Sequence, residues 1–259
     1  MALFSLERLS FAYGSHAVLG EVTFDLDAGG IVALLGPNGS GKTTLLKLML
    51  GLLRPSHGTI RLDGRDIRDI PQRELACSVA YVPQVHKESF AYLVSDVVLM
   101  GRMPHTRLFS AYGAHDRRIA REAMEKLGIE HLAGRPYTEV SGGERQLTLI
   151  ARAMAQGART FVMDEPTNGL DYGNQVCLLE RLSSLSQEGC TFIFSTHHPD
   201  HALAVASRVI MLHRGTVLRD GPAERAICGE SLQELYGIEV RMAAVGGGVT
   251  VCVPAIRRT

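Results

Sequence analysis

No apolar run in this sequence approaches the roughly 18 to 20 residues that cross a bilayer, so a membrane-spanning helix is not expected. The opening Met1-Ala2-Leu3-Phe4-Ser5-Leu6-Glu7-Arg8 lacks the basic start and long apolar core of a secretory signal. Charge of one sign is not in excess. Lys plus Arg and Asp plus Glu both number 27, so no net field draws the chain to nucleic acid or anionic lipid. Cysteines are few and scattered: Cys77, Cys177, Cys190, Cys228 and Cys252 are odd in number and contain no CxxC pair. That pattern excludes a disulfide or zinc framework and reads as free thiols in a reducing compartment. There is no internal repeat and no low-complexity tract. What remains is the profile of a globular, cytosolic protein: 259 residues, 46% hydrophobic and 21% charged. This is enough for one sizeable domain, or a core plus a subdomain.

The most informative stretch is Gly36-Pro37-Asn38-Gly39-Ser40-Gly41-Lys42-Thr43. It follows the apolar run at 31–35 and precedes a helix-like run from Thr44 to residue 50. Strand, glycine-rich loop, Lys-Thr and helix is the arrangement that holds a nucleotide triphosphate. The glycines let the backbone curl until N–H groups point at phosphate oxygens, and the positive end of the next helix faces the same anion. Lys42 reaches the outer phosphates, and the Thr43 hydroxyl is placed to ligate Mg²⁺. A glycine-rich turn with a solvated Lys42 is the plain alternative, and the strand-to-helix context weighs against it.

Around this loop the pattern is that of an α/β fold. Short β-like runs at 3–9, 22–26 and 59–62 are separated by turn signals such as Ala28-Gly29-Gly30 and Asp63-Gly64. Between 84 and 157 helical periodicity dominates. Asp116 is expected to cap a helix carrying Ile119, Ala120, Ala123, Met124 and Leu127, stopped at Gly128. Leu147, Ile150, Ala151 and Met154 mark the apolar face of another, ending at Gly157. Strand–helix alternation then resumes, with strands at 161–163, 191–194 and 209–212 and helices at 176–185 and 199–206. It predicts a mostly parallel sheet covered on both faces, with the helical stretch inserted. From Ser231 onward the pattern is weak, and a short extension is expected.

Two further segments carry chemistry. Phe161-Val162-Met163-Asp164-Glu165 is an apolar strand ending in two acids. Asp164 suits Mg²⁺, a hard cation that takes oxygen ligands. Glu165 is placed to accept a proton from the water attacking the γ-phosphate. A polar strand end is the alternative. Ser141-Gly142-Gly143-Glu144-Arg145-Gln146 opens the helix at 147–154 and makes a second anion site from free N–H groups. Only one such site is needed to cradle one triphosphate, so the second serves a nucleotide held by another copy. Alone, Ser141 would read as a simple N-cap.

Together these segments resemble the ATP-binding subunit of an ABC transporter, over nearly the whole chain up to about Gly229. The resemblance identifies Gly36 to Thr43 as Walker A, Phe161 to Glu165 as Walker B and Ser141 to Gln146 as the ABC signature. It implies a RecA-like P-loop NTPase core with an N-terminal antiparallel β subdomain and an inserted α-helical subdomain. The implied division is 1–84 with 157–230 for the ATP-binding core, 85–156 for the signature subdomain and 231–259 for the extension. It also implies that Tyr13 packs on adenine and that Gln84 meets Mg²⁺ and the attacking water. Asn168-Gly169-Leu170-Asp171 becomes the D-loop, with Asp171 near nucleotide, and His197 the switch histidine on the γ-phosphate. His198 and His201 take surface roles. Thr44 joins Gly36, Asn38, Gly39, Ser40, Gly41, Lys42 and Thr43 in the phosphate cradle. Val140 in place of Leu and Asn168-Gly169 in place of Ser-Ala depart mildly from the family habit.

The implied cofactors are ATP and Mg²⁺. The implied partners are a second copy, two integral-membrane permease subunits and, indirectly, an external substrate-binding protein, with no nucleic acid; the place is the cytoplasmic face of the inner membrane. Residues after Gln84, including Phe90-Ala91-Tyr92, Val94 and Val97 to Met100, would form the groove for a permease helix, about half of them serving as the subdomain's own core. The segments at 96–105 and 196–202 resemble importers of iron–siderophore, haem and cobalamin complexes, and related segments occur in molybdate or tungstate importers. A soluble ABC ATPase acting on ribosomes or DNA is the rival. One cassette, balanced charge and no sustained heptads argue against it.

Overall fold

The computed structural model describes residues 2–84, 91–106, 111–246 and 249–255. Phe90, expected in the permease groove, lies outside them. Strands β1 (Phe4–Tyr13) and β2 (His16–Leu26) form an antiparallel pair. β3 (Gly30–Leu35) is apolar and buried along nearly its full length, as a strand covered on both faces must be. It feeds the loop ahead of α1 (Lys42–Met49). β4 (His57–Leu62) and the two-residue β5 (Arg65–Asp66) return to the first sheet. Then come α2 (Gln72–Ser78) and β6 (Val79–Val82), followed by the helices α3 (Val94–Leu99), α4 (Ala114–Lys126) and α5 (Gly142–Ala155). Alternation resumes with β7 (Thr160–Met163), α6 (Tyr172–Gln187), β8 (Thr191–Thr196), α7 (Pro199–Val205) and β9 (Arg208–His213). β10 (Thr216–Pro222), α8 (Ala223–Ala226) and α9 (Gly229–Tyr236) follow, and β11 (Val240–Val245) pairs with β12 (Val249–Pro254).

The four-stranded antiparallel sheet runs β2-β1-β4-β5 and the six-stranded sheet β10-β9-β3-β8-β7-β6. In the second, only the β9–β10 pair is antiparallel. Alternate side chains of one strand enter different cores, as the two-residue period of a strand requires. Val32 and Leu34 of β3 pack with α1 and the antiparallel sheet, whereas Ile31, Ala33 and Leu35 face the core that holds α3, α5 and α6. The α/β layering expected from the alternation is therefore present, with an antiparallel sheet beside it.

Local details depart from expectation. Asp116 is the third residue of α4 rather than its cap: its Oδ2 accepts from the N–H of Gly113, which precedes the helix. On α5 the buried face is shifted, with Gln146, Leu149 and Ala153 inside while Leu147 and Met154 are only partly covered. Packing from α3, α4 and α6 surrounds the helix, and a one-stripe reading misses that. α9 runs across residue 231, where an extension was expected, and buries Leu232 and Leu235 in the core.

Candidate functional site

The loop between β3 and α1 closes on itself. A Cβ on Gly36 would overlap the carbonyl oxygen of Leu212 and lie 2.7 Å from Ser40 Oγ, so only glycine lets the backbone pass β9. Gly41 holds φ of 101°, a left-handed turn that starts α1 directly. Lys42, 5% exposed, donates to the carbonyl oxygens of Gly36 at 2.7 Å and Pro37 at 3.0 Å. Burial pushes its ammonium pKa down, against the opposing pull of Glu165 and Asp164. A desolvated cation at a helix N-terminus binds phosphate strongly. Ser40 Oγ is buried without a hydrogen-bond partner among the described residues, an orphan that a phosphate oxygen would satisfy.

The two acids beyond β7 are fixed by β8. Ser195 Oγ donates to Asp164 Oδ1 at 2.6 Å and accepts from the Glu165 N–H at 2.9 Å. Asp164, 3% exposed, also donates its N–H to Val82. Glu165 takes a left-handed φ of 44°, which turns its side chain out of the strand into the cleft. Its Oε2 accepts from Gln84 Nε2 at 3.0 Å and Asn168 Nδ2 at 3.4 Å. Its Oε1 lies 3.1 Å from His197 Nδ1 and 3.9 Å from Lys42 Nζ. A carboxylate accepts, so His197 Nδ1 is the donor of this hydrogen bond.

Lys42, Gln84, Glu165, Asn168 and His197 line one cleft of about 860 Å³ with Tyr13, His16, Asn38, Gly39, Gly41, Thr43, Thr44 and Arg214, whereas Gly36, Ser40, Asp164 and Ser195 are not part of its lining. That volume lies within the usual range of ligand clefts. Tyr13, 49% exposed, stands edge-on to Phe11 at its rim. Thr43 and Gln84 line the cleft and Asp164 is buried at the end of β7, side chains whose oxygens are of the kind Mg²⁺ takes.

Ser141, Gly142, Gly143 and Asp171 do not line this cleft. Ser141 caps α5: its Oγ accepts from Glu144 N–H at 3.3 Å, while Glu144 Oε2 accepts from Ser141 N–H at 2.8 Å. These bonds hold the Glu144 pKa below the usual carboxylate value. Asp171 caps α6, accepting from the N–H and Nδ2 of Asn174 at 2.9 and 2.8 Å. A Cβ on Gly142 would lie 3.6 Å from the Gly169 carbonyl oxygen, so signature and D-loop segments adjoin within one protomer.

Some roles were not foreseen. Ser195, His16 and Arg214 belong to the site or its support, and only the nearness of Ser195 to His197 in sequence hinted at any of them; Asn168, expected in the D-loop, reaches the Glu165 carboxylate. His201 is no plain surface residue: it is half-buried and hydrogen-bonded through Nδ1 to Thr167 Oγ1 at 3.2 Å. The rings of His197, His198 and His201 adjoin in series, each tilted by more than 40° to the next, and no group of three His, Cys, Asp or Glu among the described residues is arranged to hold a metal. Gly101 and Arg102, which follow the expected permease groove, are buried. Arg102 donates to Asp116 Oδ1 at 3.1 Å and to the Ala155 carbonyl at 2.9 Å, tying the segment to α4 and α5.

A family model described as ABC transporter matches residues 19–168. The chain is 39% identical over 234 residues to the molybdate import ATP-binding protein of Haemophilus influenzae, covering 90% of this chain and 87% of that one. It is 34% identical over 239 residues to the iron(3+)-hydroxamate import ATP-binding protein of Bacillus subtilis, covering 92% and 89%. A solved structure described as a metal-chelate type ABC transporter in an inward-facing conformation superposes with a TM-score of 0.89 at 35% identity, over 99% of both chains. With a phosphate loop, a paired-acid strand end and a signature helix on one such fold, this chain belongs to the ABC transporter family, as one of its ATP-hydrolysing subunits.

Proposed function

We propose that this chain energises import of an iron–siderophore or related metal complex. The observation that carries the catalytic part is the Glu165 carboxylate, held by Gln84 and His197 and facing Lys42 across the cleft. In that position it accepts the proton of a water aimed at the γ-phosphate. His197 and Lys42 neutralise charge as the terminal phosphoryl group leaves. Thr43, Asp164 and Gln84 would hold Mg²⁺, which when bound with ATP neutralises phosphate charge.

Two copies pair head to tail. The cleft of one protomer supplies Lys42, Thr43, Gln84 and Glu165, and its partner supplies the Ser141, Gly142 and Gly143 turn to the same nucleotide. That these two sets sit apart in one protomer supports a site completed in trans. The functional division is 1–84 with 157–230, 85–156, and 231–259.

No helix among the described residues is long and apolar enough to cross a membrane, so the motion must act on membrane partners. Tyr92, Leu93 and Met103 are exposed while Val94, Val97 and Val98 are buried, which leaves the first three to meet a permease helix. The partners are two permease subunits and an external binding protein, with this chain on the cytoplasmic face of the membrane. The metal-complex cargo follows the iron(3+)-hydroxamate relative and the metal-chelate transporter structure. Molybdate is the second reading, favoured by the 39% identical relative.

The test is ATP turnover by the chain reconstituted with its permease in proteoliposomes, presented with binding protein loaded with ferric hydroxamate, haem or molybdate. Stimulation by an iron complex is expected. Stimulation by molybdate alone would replace the cargo, and basal turnover that neither the permease nor any loaded binding protein changes would remove the transport role.

A further inference from the structure

The segment beyond Cys228 is anchored at every step. Ser231 Oγ donates to the Ala226 carbonyl at 2.7 Å and accepts from the Cys228 N–H at 3.0 Å, which pins the start of α9. Leu232 and Leu235 hold its middle in the core, and Gly237, with φ of 71°, stops it. Tyr236, the last residue of α9, is thereby set in one place. Its hydroxyl donates to the backbone carbonyl of His197 at 3.0 Å. Burial pushes the phenol pKa well up, so the donor stays protonated. A second tether comes from β12, where the Cys252 N–H donates to Asp200 Oδ1 at 2.8 Å in the first turn of α7. The peptide after His197 and the start of α7 are thus gripped from the same side. The gripped residue is the one whose Nδ1 lies 3.1 Å from Glu165 Oε1.

We propose that Tyr236 is a positioning residue for ATP hydrolysis, and that α9 with the β11–β12 pair latches the His197 turn against Glu165. A loop carbonyl held by a rigid helix end cannot rotate its peptide plane, and that rotation would swing the imidazole off the carboxylate. This rests on the proposed role of His197. The latch gives residues 229–246 and 249–255 a function in the reaction itself, although none of these described residues lines the nucleotide cleft.

Single-turnover hydrolysis and steady-state kinetics of the full chain with Mg²⁺ and ATP test it, alongside the thermal midpoint. Tyr236→Phe removes only the hydroxyl. It is expected to lower kcat by ~3–10-fold, the worth of one ordinary hydrogen bond, with KM and midpoint little changed. It should add no further loss in a His197→Ala background. Asp200→Ala, which removes the second tether, should shift kcat the same way. Wild-type kcat in Tyr236→Phe beside a crippled His197→Ala would overturn the latch and leave the site reading intact. Equal proportional losses with and without His197 would also overturn it, because the tyrosine would then act elsewhere. Full activity of His197→Ala would instead remove the reading of His197, and the latch with it.

Discussion

Gln84, just past β6, donates its side-chain amide to Oε2 of Glu165, just past β7, at 3.0 Å. The bond ties the two neighbouring strand ends together at the cleft, while His197, from the end of β8, occupies the other carboxylate oxygen. Glu165→Gln keeps the shape and removes the base. Hydrolysis should fall by ~10²–10⁴-fold, the usual loss for a general base, while ATP binding persists. Near-normal steady-state turnover would overturn the assignment.

Lys42 contributes differently, because its charge is desolvated and already turned toward the loop it must serve. Lys42→Ala should weaken ATP binding by ~10–100-fold, as expected for charge-assisted bonds of about 1.5–3 kcal/mol. Nucleotide titration by calorimetry reads this directly. Unchanged affinity would place the triphosphate elsewhere.

Ser141 has two separable duties. As the N-cap of α5 it stabilises the fold, so Ser141→Ala should cost about 1 kcal/mol, or about 2–4 °C in thermal midpoint for a chain of this size. As a proposed contact in trans it serves the partner's nucleotide. Ser141→Arg should therefore stop hydrolysis while sparing ATP affinity. Mixed dimers of Ser141→Arg with Glu165→Gln distinguish the two duties, since one of their two sites keeps both residues intact.

Gly101 packs against the backbone of α5 so closely that a Cβ would overlap the Arg152 carbonyl. Gly101→Ala should destabilise the fold by about 1–3 kcal/mol, the cost of overpacking. Thermal melts without nucleotide check it, and an unchanged midpoint would mean that the segment is free to move.

Acid should weaken the fold before any carboxylate protonates. Burial, then the nearby His198, hold the His201 pKa below its ordinary 6.5. The unfolded chain then takes up the proton more readily, so this stability is complete above about pH 6.5 and declines as pH falls beneath it. Melting at pH 7.5 and 5.5 should differ more for the wild type than for His201→Gln, which cannot titrate.

The phosphate loop, the acids after β7 and the strand–helix alternation were legible because each is local: neighbouring residues carry the whole pattern. Ser195 beneath the two acids, Arg102 across α4 and α5, and Tyr236 on His197 were not. Each acts through partners 14 to 53 positions away, and a lone Ser, Arg or Tyr leaves no periodic trace. The β11–β12 pair escaped for a related reason. It joins neither main sheet, and its half-exposed residues resemble a loop.

Lys42 follows β3, Glu165 follows β7 and His197 follows β8, three strands that lie side by side in the order β3-β8-β7 and whose pairing sets their spacing. One strand residue advances about 3.3 Å and reverses the side-chain face. A slip of a single rung between β7 and β8 would move Glu165 beyond reach of the imidazole without altering any residue in the cleft. The stacked rings of Phe161 and Phe192, 5.0 Å apart at that rung, therefore act as a gauge block for the chemistry above them.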